Sequence, residues 1–437
     1  MQAKVIGGFF MSIQPWAIVT DLEFAKIVLI KDSEYFLDRG FYVNEQDDPL
    51  TANLINIADE KWKILRKKFS PIFTSEKIKN MIPIMVGISN KLIKCIDRAF
   101  LESIDINLSD YLSCFTIDII GSCAFGIDCD TVNNPESKFL QIAKKVFSIS
   151  SVRTAKLFFL CGFRSLAKSL HMRWTLREVE AFYTNLVTEV IEYRERENVK
   201  RNDFLDLMLQ LKNRGKLDNE AENETGVVTL NEIIANVQTF LLAGYDTSSA
   251  TIKFCLLELA HHQNIQDCLR NELRSVMDQF REITYEKLGE MIYLNKVVYE
   301  TLRKHPPFGV ISRTLSKDYK VLNMDLSLQK GTMVLISVLG FHHDPQIYPE
   351  PENFDPERFS SQAIKSRHPY AFLGFGNGPR NCIGMRFALM QIKICLATLL
   401  LMYKVSPCSR TQYPIEYSKS SMVLTPKEGC WLRIEKC

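Results

Sequence analysis

Apolar and polar residues alternate over 5–10 and again over 17–20, which predicts two short strands with a turn at Gln14-Pro15 between them. A helical run over 22–29 follows. From about 61 to 298 apolar positions recur at helical spacing almost throughout, so helices dominate this stretch. The interval 213–226 breaks the pattern, being polar, acidic and glycine-bearing without period, and is predicted as a surface loop. Just beyond it Thr229 and Glu232 form a T-x-x-E capping box, and helical spacing runs on to about His262. At 1.5 Å per residue that helix is about 50 Å long, enough to cross a whole domain. Its centre, 240–249, sets Gly244, Asp246, Thr247 and Ser248 among apolar neighbours. A glycine there costs about 1 kcal/mol relative to alanine, and short polar side chains compete for backbone bonds. By pattern alone this is either a solvent-facing kink or a site built into a helix. A final helix is expected over 385–405. The chain reads as one large helix-rich body with a strand-bearing minority, without internal repeats.

Composition narrows the class. The chain has 437 residues, 54 Lys and Arg against 51 Asp and Glu, and a net charge of +3, a balance unlike the strongly basic face of a nucleic-acid binder. Twelve cysteines stand at irregular spacing with no C-x-x-C pair, which argues against a zinc ribbon or a dithiol redox motif. Those in apolar helical runs, such as Cys255 and Cys395, are expected to act as small hydrophobes. The apolar stretch 5–10 is far shorter than the roughly 20 residues that span a bilayer.

One cysteine has other surroundings. Phe375-Gly376-Asn377-Gly378-Pro379-Arg380-Asn381-Cys382-Ile383-Gly384 places a thiol in a glycine-rich loop that opens a helix. Backbone N–H groups and the positive end of the helix dipole favour thiolate there, a suitable ligand for a metal. Thiolate ligation of haem favours O–O cleavage, glycines let the loop lie close to a flat macrocycle, and Arg380 can pair with a propionate. Upstream, Glu300 and Arg303 share a helix face at i,i+3, a spacing that by itself is usually a solvated pair worth little. Trp62 and Arg66, at i,i+4, share another face, and both can donate hydrogen bonds.

The motif F-x-x-G-x-R-x-C-x-G is the signature of the cytochrome P-450 superfamily, and the chain resembles it at Phe375, Gly378, Arg380, Cys382 and Gly384. Glu300-Thr301-Leu302-Arg303 looks like the family's E-x-x-R, Pro356-Glu357-Arg358-Phe359 like its P-E-R-F, Trp62-Lys63-Ile64-Leu65-Arg66 like its W-x-x-x-R, and Ala243-Gly244-Tyr245-Asp246-Thr247-Ser248 like its oxygen-activation motif. All stand in the family's order, and the wording is most like arthropod microsomal, xenobiotic-metabolising members.

The resemblance implies a mainly α fold with a smaller β-rich lobe, a single domain over 1–437, and haem b (iron protoporphyrin IX) buried between the long central helix and the cysteine loop. It implies Cys382 as iron ligand, with Phe375, Gly378 and Gly384 shaping the loop. Arg380, Trp62, Arg66 and Arg313 would bind the cofactor, and Asp246 and Thr247 would handle protons near bound O2. Glu300, Arg303 and Arg358 would form a structural triad behind it. A pocket for lipophilic molecules would include Phe240, Ala243, Val310, Ile311 and Met422, within 53–57, 240–243, 308–311 and 421–423. Segment 156–160 would lie at a membrane surface, cover an access channel or be ordinary core.

The implied partners are NADPH–cytochrome reductase, cytochrome b5 as a second donor, O2, and the cytosolic face of the endoplasmic reticulum membrane, with no nucleic acid. A basic patch at Lys61, Lys63, Arg66, Lys67 and Lys68, extended by Lys77 and Lys79, would dock the acidic reductase. By comparison with such members the chain lacks an N-terminal anchor, a proline-rich hinge and a first helix. Two other functions stay open at this point: a haem-thiolate isomerase or dehydratase, against which Asp246 and Thr247 count, and an inactive haem-binding remnant.

Overall fold

The computed structural model describes residues 5–11, 13–134, 136–148, 150–201, 203–214, 228–278, 282–321 and 324–437. The strands among them are β1 (Ile6–Met11), β2 (Gln14–Val19), β3 (Asp105–Asn107), β4 (Val310–Thr314), β5 (Tyr319–Lys320), β6 (Ser327–Leu328), β7 (Met333–Ser337), β8 (Tyr403–Ser406) and β9 (Trp431–Lys436). They form a four-stranded sheet ordered β1-β2-β7-β4, a three-stranded sheet β3-β9-β8 and a β5-β6 ribbon. The expected turn at Gln14-Pro15 is corrected. Gln14 pairs with Met11 and Pro15 faces Phe10, so both lie at the start of β2, where a missing N–H is tolerated.

Seven helices position the site: α1 (Asp59–Phe69), α2 (Ser109–Ile120), α3 (Lys138–Phe147), α4 (Ser151–Gly162), α5 (Leu230–His261), α6 (Ile292–Lys304) and α7 (Met385–Met402). The capping box at the start of α5 is complete: Thr229 accepts from the Glu232 N–H while Glu232 accepts from the Thr229 N–H. Apolar on nearly every side, α5 runs through the interior, as a helix of that composition must. The predicted loop 213–226 begins later than expected, because the helix Phe204–Arg214 takes in Asn213 and Arg214; the rest of that interval lies outside the described residues. The last helix also stops short of its expected end. Tyr403 and Val405 turn alternate side chains inward as β8, ending α7 at Met402. Although α7 is long and apolar enough to cross a membrane, it is 67% buried and serves as a core helix.

The larger apolar core joins the helices, and a smaller one packs the four-stranded sheet against residues 24–36 and 315–341. The cysteine loop lies at their junction, with Leu373 in the smaller core and Phe375 against the larger. Behind it stands a buried lattice. Arg303 donates through Nε and Nη2 to Glu300 at 2.7 and 2.8 Å, with both side chains 0% exposed. It also donates to the carbonyls of His342 and Pro351, while the Asp355 N–H donates to Glu300. Arg358 completes the triad more loosely, its Nε 3.5 Å from Glu300. His342 carries the lattice forward: its Nδ1 meets the Arg303 carbonyl, and its Nε2 accepts from the Leu373 N–H at 2.9 Å. That pattern needs a neutral ring, and burial pulls the imidazole down to about 3.

Removing one partner of a buried pair strands the other charge. Arg303→Ala is expected to lower folding stability by about 3–5 kcal/mol, read by urea denaturation or by loss of soluble protein. A wild-type transition would mean that the pair carries no such weight.

Candidate active site

The loop before α7 has the shape its glycines permit. Gly376 and Gly378 stand at φ +68° and +76°, in the left-handed region, and a Cβ on Gly378 would overlap the Leu29 carbonyl oxygen. Successive N–H donations from Gly376 to Leu373, Asn381 to Gly378 and Cys382 to Phe375 close the loop at 2.9–3.0 Å. The Gly384 N–H turns toward the Cys382 sulfur. Cys382 itself is exposed, in a loop whose flanking residues are mostly half-buried and whose preceding Arg380 is buried. Protein nevertheless crowds the thiol: burial raises it above the usual range, outweighing the Gly384 N–H and the charges of Arg66 and Arg39. An open sulfur that still feels burial faces an interior hollow.

The centre of α5 has a similar opening. Ala243 is exposed and Thr247 half-buried one turn on, whereas Leu241, Tyr245, Asp246, Ser248 and Ser249 are buried. Open space therefore touches one stripe of an otherwise enclosed helix, and the burial of Tyr245, Asp246, Ser248 and Ser249 speaks against a solvent-facing stretch. Thr247 donates its hydroxyl to the Ala243 carbonyl at 2.6 Å, which leaves Oγ1 free to accept. Burial raises the Asp246 carboxyl, opposed by the charge of Lys253. From α7, Gln391 donates through Nε2 to the Gly244 carbonyl at 2.9 Å and to the Ser248 hydroxyl at 2.5 Å. The helix that follows the cysteine is thereby bonded to the weakened centre of α5.

Four arginines converge beside the cysteine loop, and two of them, Arg66 and Arg39, act on the sulfur. Arg380 stacks on the Trp62 ring at 4.0 Å and donates to the carbonyls of Leu37 and Ile57 and to Asp38. Arg66 donates to the Asn381 carbonyl and side chain, and Arg313, almost wholly buried, to the Ser312 carbonyl. Arg39 donates to the carbonyls of Arg380 and Ile55. Burial first, then mutual repulsion, pulls Arg313 and Arg380 down to about 9. Arg39 falls to about 10 by burial, with Arg66 adding to the fall and Cys382 opposing it. So much positive charge around one exposed sulfur fits a flat ligand that carries carboxylates and a thiophilic metal, and the residues present fit iron protoporphyrin IX.

The remaining expected residues divide. Leu54 N–H donates to Asn236 of α5, and Leu424 N–H to the Pro307 carbonyl, so the segments 53–57, 308–311 and 421–423 do flank α5 and β4. Val310 and Met422 are exposed and Ile311 half-buried, as wall residues of an open space would be. Phe240 is buried, its ring packed edge-on against Phe69 and Phe73. An open cavity of about 1090 Å³ lies between α4 and residues 416–420, and neither Cys382 nor Thr247 lines it. The basic patch is partly neutralised. Lys61 pairs with Glu45 and Glu232, Lys63 with Glu60 and Lys79 with Glu286, and Lys68 is buried.

Two site residues escaped the sequence reading. Arg39 sits in coil with no motif spacing, although the run Asp38-Arg39-Gly40 carried a weak turn signal. Gln391 was masked by the apolar run of α7, where a lone amide was the available clue.

The cytochrome P-450 family model matches residues 4–433. The protein named cytochrome P-450 6A1 of Musca domestica is 42% identical over 434 residues, covering 98% of this chain and 84% of that protein. The probable cytochrome P-450 6a20 of Drosophila melanogaster is 41% identical over 432 residues, covering 98% and 85%. Cytochrome P-450 6a2 of the same species is 41% identical over 436 residues, covering 98% and 86%.

Proposed function

The chain belongs to the cytochrome P-450 family, and from that membership we propose which of its residues carry the family's chemistry and where in the cell they act. It is a haem-thiolate monooxygenase with haem b as cofactor, drawing electrons from a reductase and acting with O2 on lipophilic molecules. Haem bound through a thiolate supplies the activation of O2. What this protein adds is a ligand, a charge frame and a source of protons.

Cys382 holds the iron, and the observation that carries this assignment is its open sulfur in a crowded loop ringed by arginines. Arg39, Arg66, Arg313 and Arg380 hold the propionates, with the Trp62 ring keeping Arg380 in plane. Phe375, Gly378 and Gly384 fix the loop's path. Thr247 Oγ1, its proton given to the Ala243 carbonyl, accepts a hydrogen bond from a water or hydroxyl in the hollow and so aims a proton. Asp246, one residue round the helix, holds the proton to be delivered. Ala243, Val310, Ile311 and Met422 bound the substrate space. A hydroxyl at the open stripe of α5, with a buried acid next to it in the helix, favours this oxygen-dependent reading over the isomerase. Residues 1–437 form one domain, and xenobiotics are the substrate class.

Peripheral attachment to the endoplasmic reticulum membrane, cytosolic side, is supported by an apolar patch. Phe10 and Ile13 at the β1–β2 turn are 74% and 70% exposed, and Phe163, Leu166 and Leu170 beyond α4 are exposed as well. Gln14 donates to the Gly162 carbonyl at 2.6 Å, which holds the two segments side by side. Apolar contact of this kind is reversible. Lys63, Lys67 and Arg386, exposed near the cysteine loop, form the docking face for the reductase and for cytochrome b5.

Cys382→His is expected to abolish the red-shifted Soret band of the reduced, carbon-monoxide-bound protein; survival of that band would overturn the ligand assignment. Thr247→Ala removes the hydroxyl but keeps a good helix former. Haem loading should persist while NADPH oxidation yields more hydrogen peroxide and less product, and an unchanged product-to-peroxide ratio would make Thr247 helix filling. Replacing Phe163, Leu166 and Leu170 together by serine should cut the fraction that co-sediments with lipid vesicles several-fold, on the order of the affinity lost with a few buried side chains. Equal sedimentation would move the membrane contact elsewhere.

A further inference from the structure

Lys253 lies inside α5, 8% exposed, in a stretch where every residue from Ser248 to Ala260 is buried. The mechanism above makes no use of it. Its ammonium has one hydrogen bond among the described residues, from Nζ to the Ser113 hydroxyl of α2 at 2.9 Å. Serine is neutral, and a buried ammonium is strongly disfavoured without an opposite charge. The charged and titratable groups that face Lys253 are Asp246 on its own helix, Asp110 on α2, Lys144 on α3 and Cys430 just before β9. Asp110 is already paired with Lys144 at the surface, at 2.8 Å. Cys430 is a buried thiol pushed further from ionisation. That leaves Asp246.

The placement is reciprocal. Asp246 and Lys253 are seven residues apart, two turns and about 10 Å along one face of a helix, a gap that a lysine side chain can largely close. No side-chain hydrogen bond holds the Asp246 carboxylate among the described residues, and Lys253 is the one charge that bears on it. Tyr245 reaches the same Ser113, so the helix α2 supplies one hydroxyl to both Tyr245 and Lys253. Ser113 is itself buried, one turn inward from Asp110 on α2.

We infer that Lys253 is a positioning residue for the reaction: its ammonium, moored on Ser113, fixes the charge state of Asp246 and so sets the pH window in which protons are supplied beside Thr247. The inference rests on the reading of Asp246 and Thr247 given under the proposed function. Without the cation, burial alone would act on the carboxyl and hold it protonated to higher pH.

The test uses the haem-loaded protein with reductase, as wild type, Lys253→Met, Asp246→Asn and the double variant. Urea unfolding of the four gives a readout independent of turnover. Electrostatic coupling of the two charges makes the two substitutions non-additive, by about threefold or more in the unfolding constant. The ratio of product to peroxide is followed across the neutral pH range on the same proteins. Lys253→Met should move the pH dependence of this ratio to higher pH, and Asp246→Asn should erase it. Additive unfolding, or a pH profile of Lys253→Met that overlays wild type, overturns the inference. Should Asp246→Asn keep the wild-type ratio, the reading of the acid and hydroxyl fails instead, and the unfolding cycle still decides whether Lys253 holds the carboxyl. If Lys253→Met does not fold, Ser113→Ala keeps both charges but frees the ammonium; a smaller shift in the same direction supports the inference, and no shift overturns it.

Discussion

Among the described residues, four guanidinium groups share one interior region with a single carboxylate, and much of this structure follows from that imbalance. Arg39, Arg66, Arg313 and Arg380 crowd together there, and among the described residues only Asp38 answers them directly. Arginine does not escape such a position by losing its proton, so the repulsion persists until anions arrive. The protein alone is therefore electrostatically incomplete, and a ligand bearing two carboxylates lowers its free energy more than it would in a neutral pocket. Carbonyl oxygens hold the frame meanwhile: those of Leu37, Ile55, Ile57, Arg380, Asn381 and Ser312 each take a donor from the four. This partial solvation keeps the cations in place without neutralising them, which is how a site stays ready for its ligand.

The same logic explains the lattice behind the cysteine loop. The loop cannot be held by its own residues, since glycines at positive φ give it shape but little rigidity. Rigidity comes from Arg303, which ties Glu300 to the carbonyls of His342 and Pro351, and from His342, which passes the constraint to the Leu373 N–H. A histidine buried neutral, donating through one ring nitrogen and accepting through the other, specifies direction as a charged one could not. The sulfur position is thus set from α6 through two side chains. An exposed i,i+3 pair could not do this, and the difference between the two cases is burial, which spacing does not reveal.

That limit marks how far the sequence is legible. The loop at 375–384 could be read because its glycines, arginine and cysteine are each required by backbone geometry or ligand chemistry, and such requirements leave fixed spacings. The capping box at Thr229 was legible for the same reason. Arg39 was not, because it acts by converging in space with residues 27, 274 and 341 positions away, and no local pattern records that. The end of α7 was misplaced since Tyr403 and Val405 are as apolar as a helix face, and only pairing with β9 decides for strand. Nor does the place of Phe240 along α5 reveal its partners, since Phe69 and Phe73 come from the far end of α1 and the turn after it.

The weakened centre of α5 shows what replaces local helix propensity when a site is built into a helix. Gly244 opens a gap on one side, and Ile120 of α2 fills it, since any Cβ there would press on its side chain. On another side Gln391 donates to the Gly244 carbonyl and the Ser248 hydroxyl, so an amide from α7 supplies support that the helix lacks. The polar residues are then sorted by angle, each successive position turning about 100° round the axis. Ala243 and Thr247 face the hollow, while Asp246 and Ser248 turn into protein. Acid and hydroxyl thus adjoin in sequence but sit in different media, one buried where its charge is costly and the other at the edge of an open space. Ile120 and Gln391 hold the helix at this point, the one by filling the space beside Gly244 and the other by bonding its carbonyl.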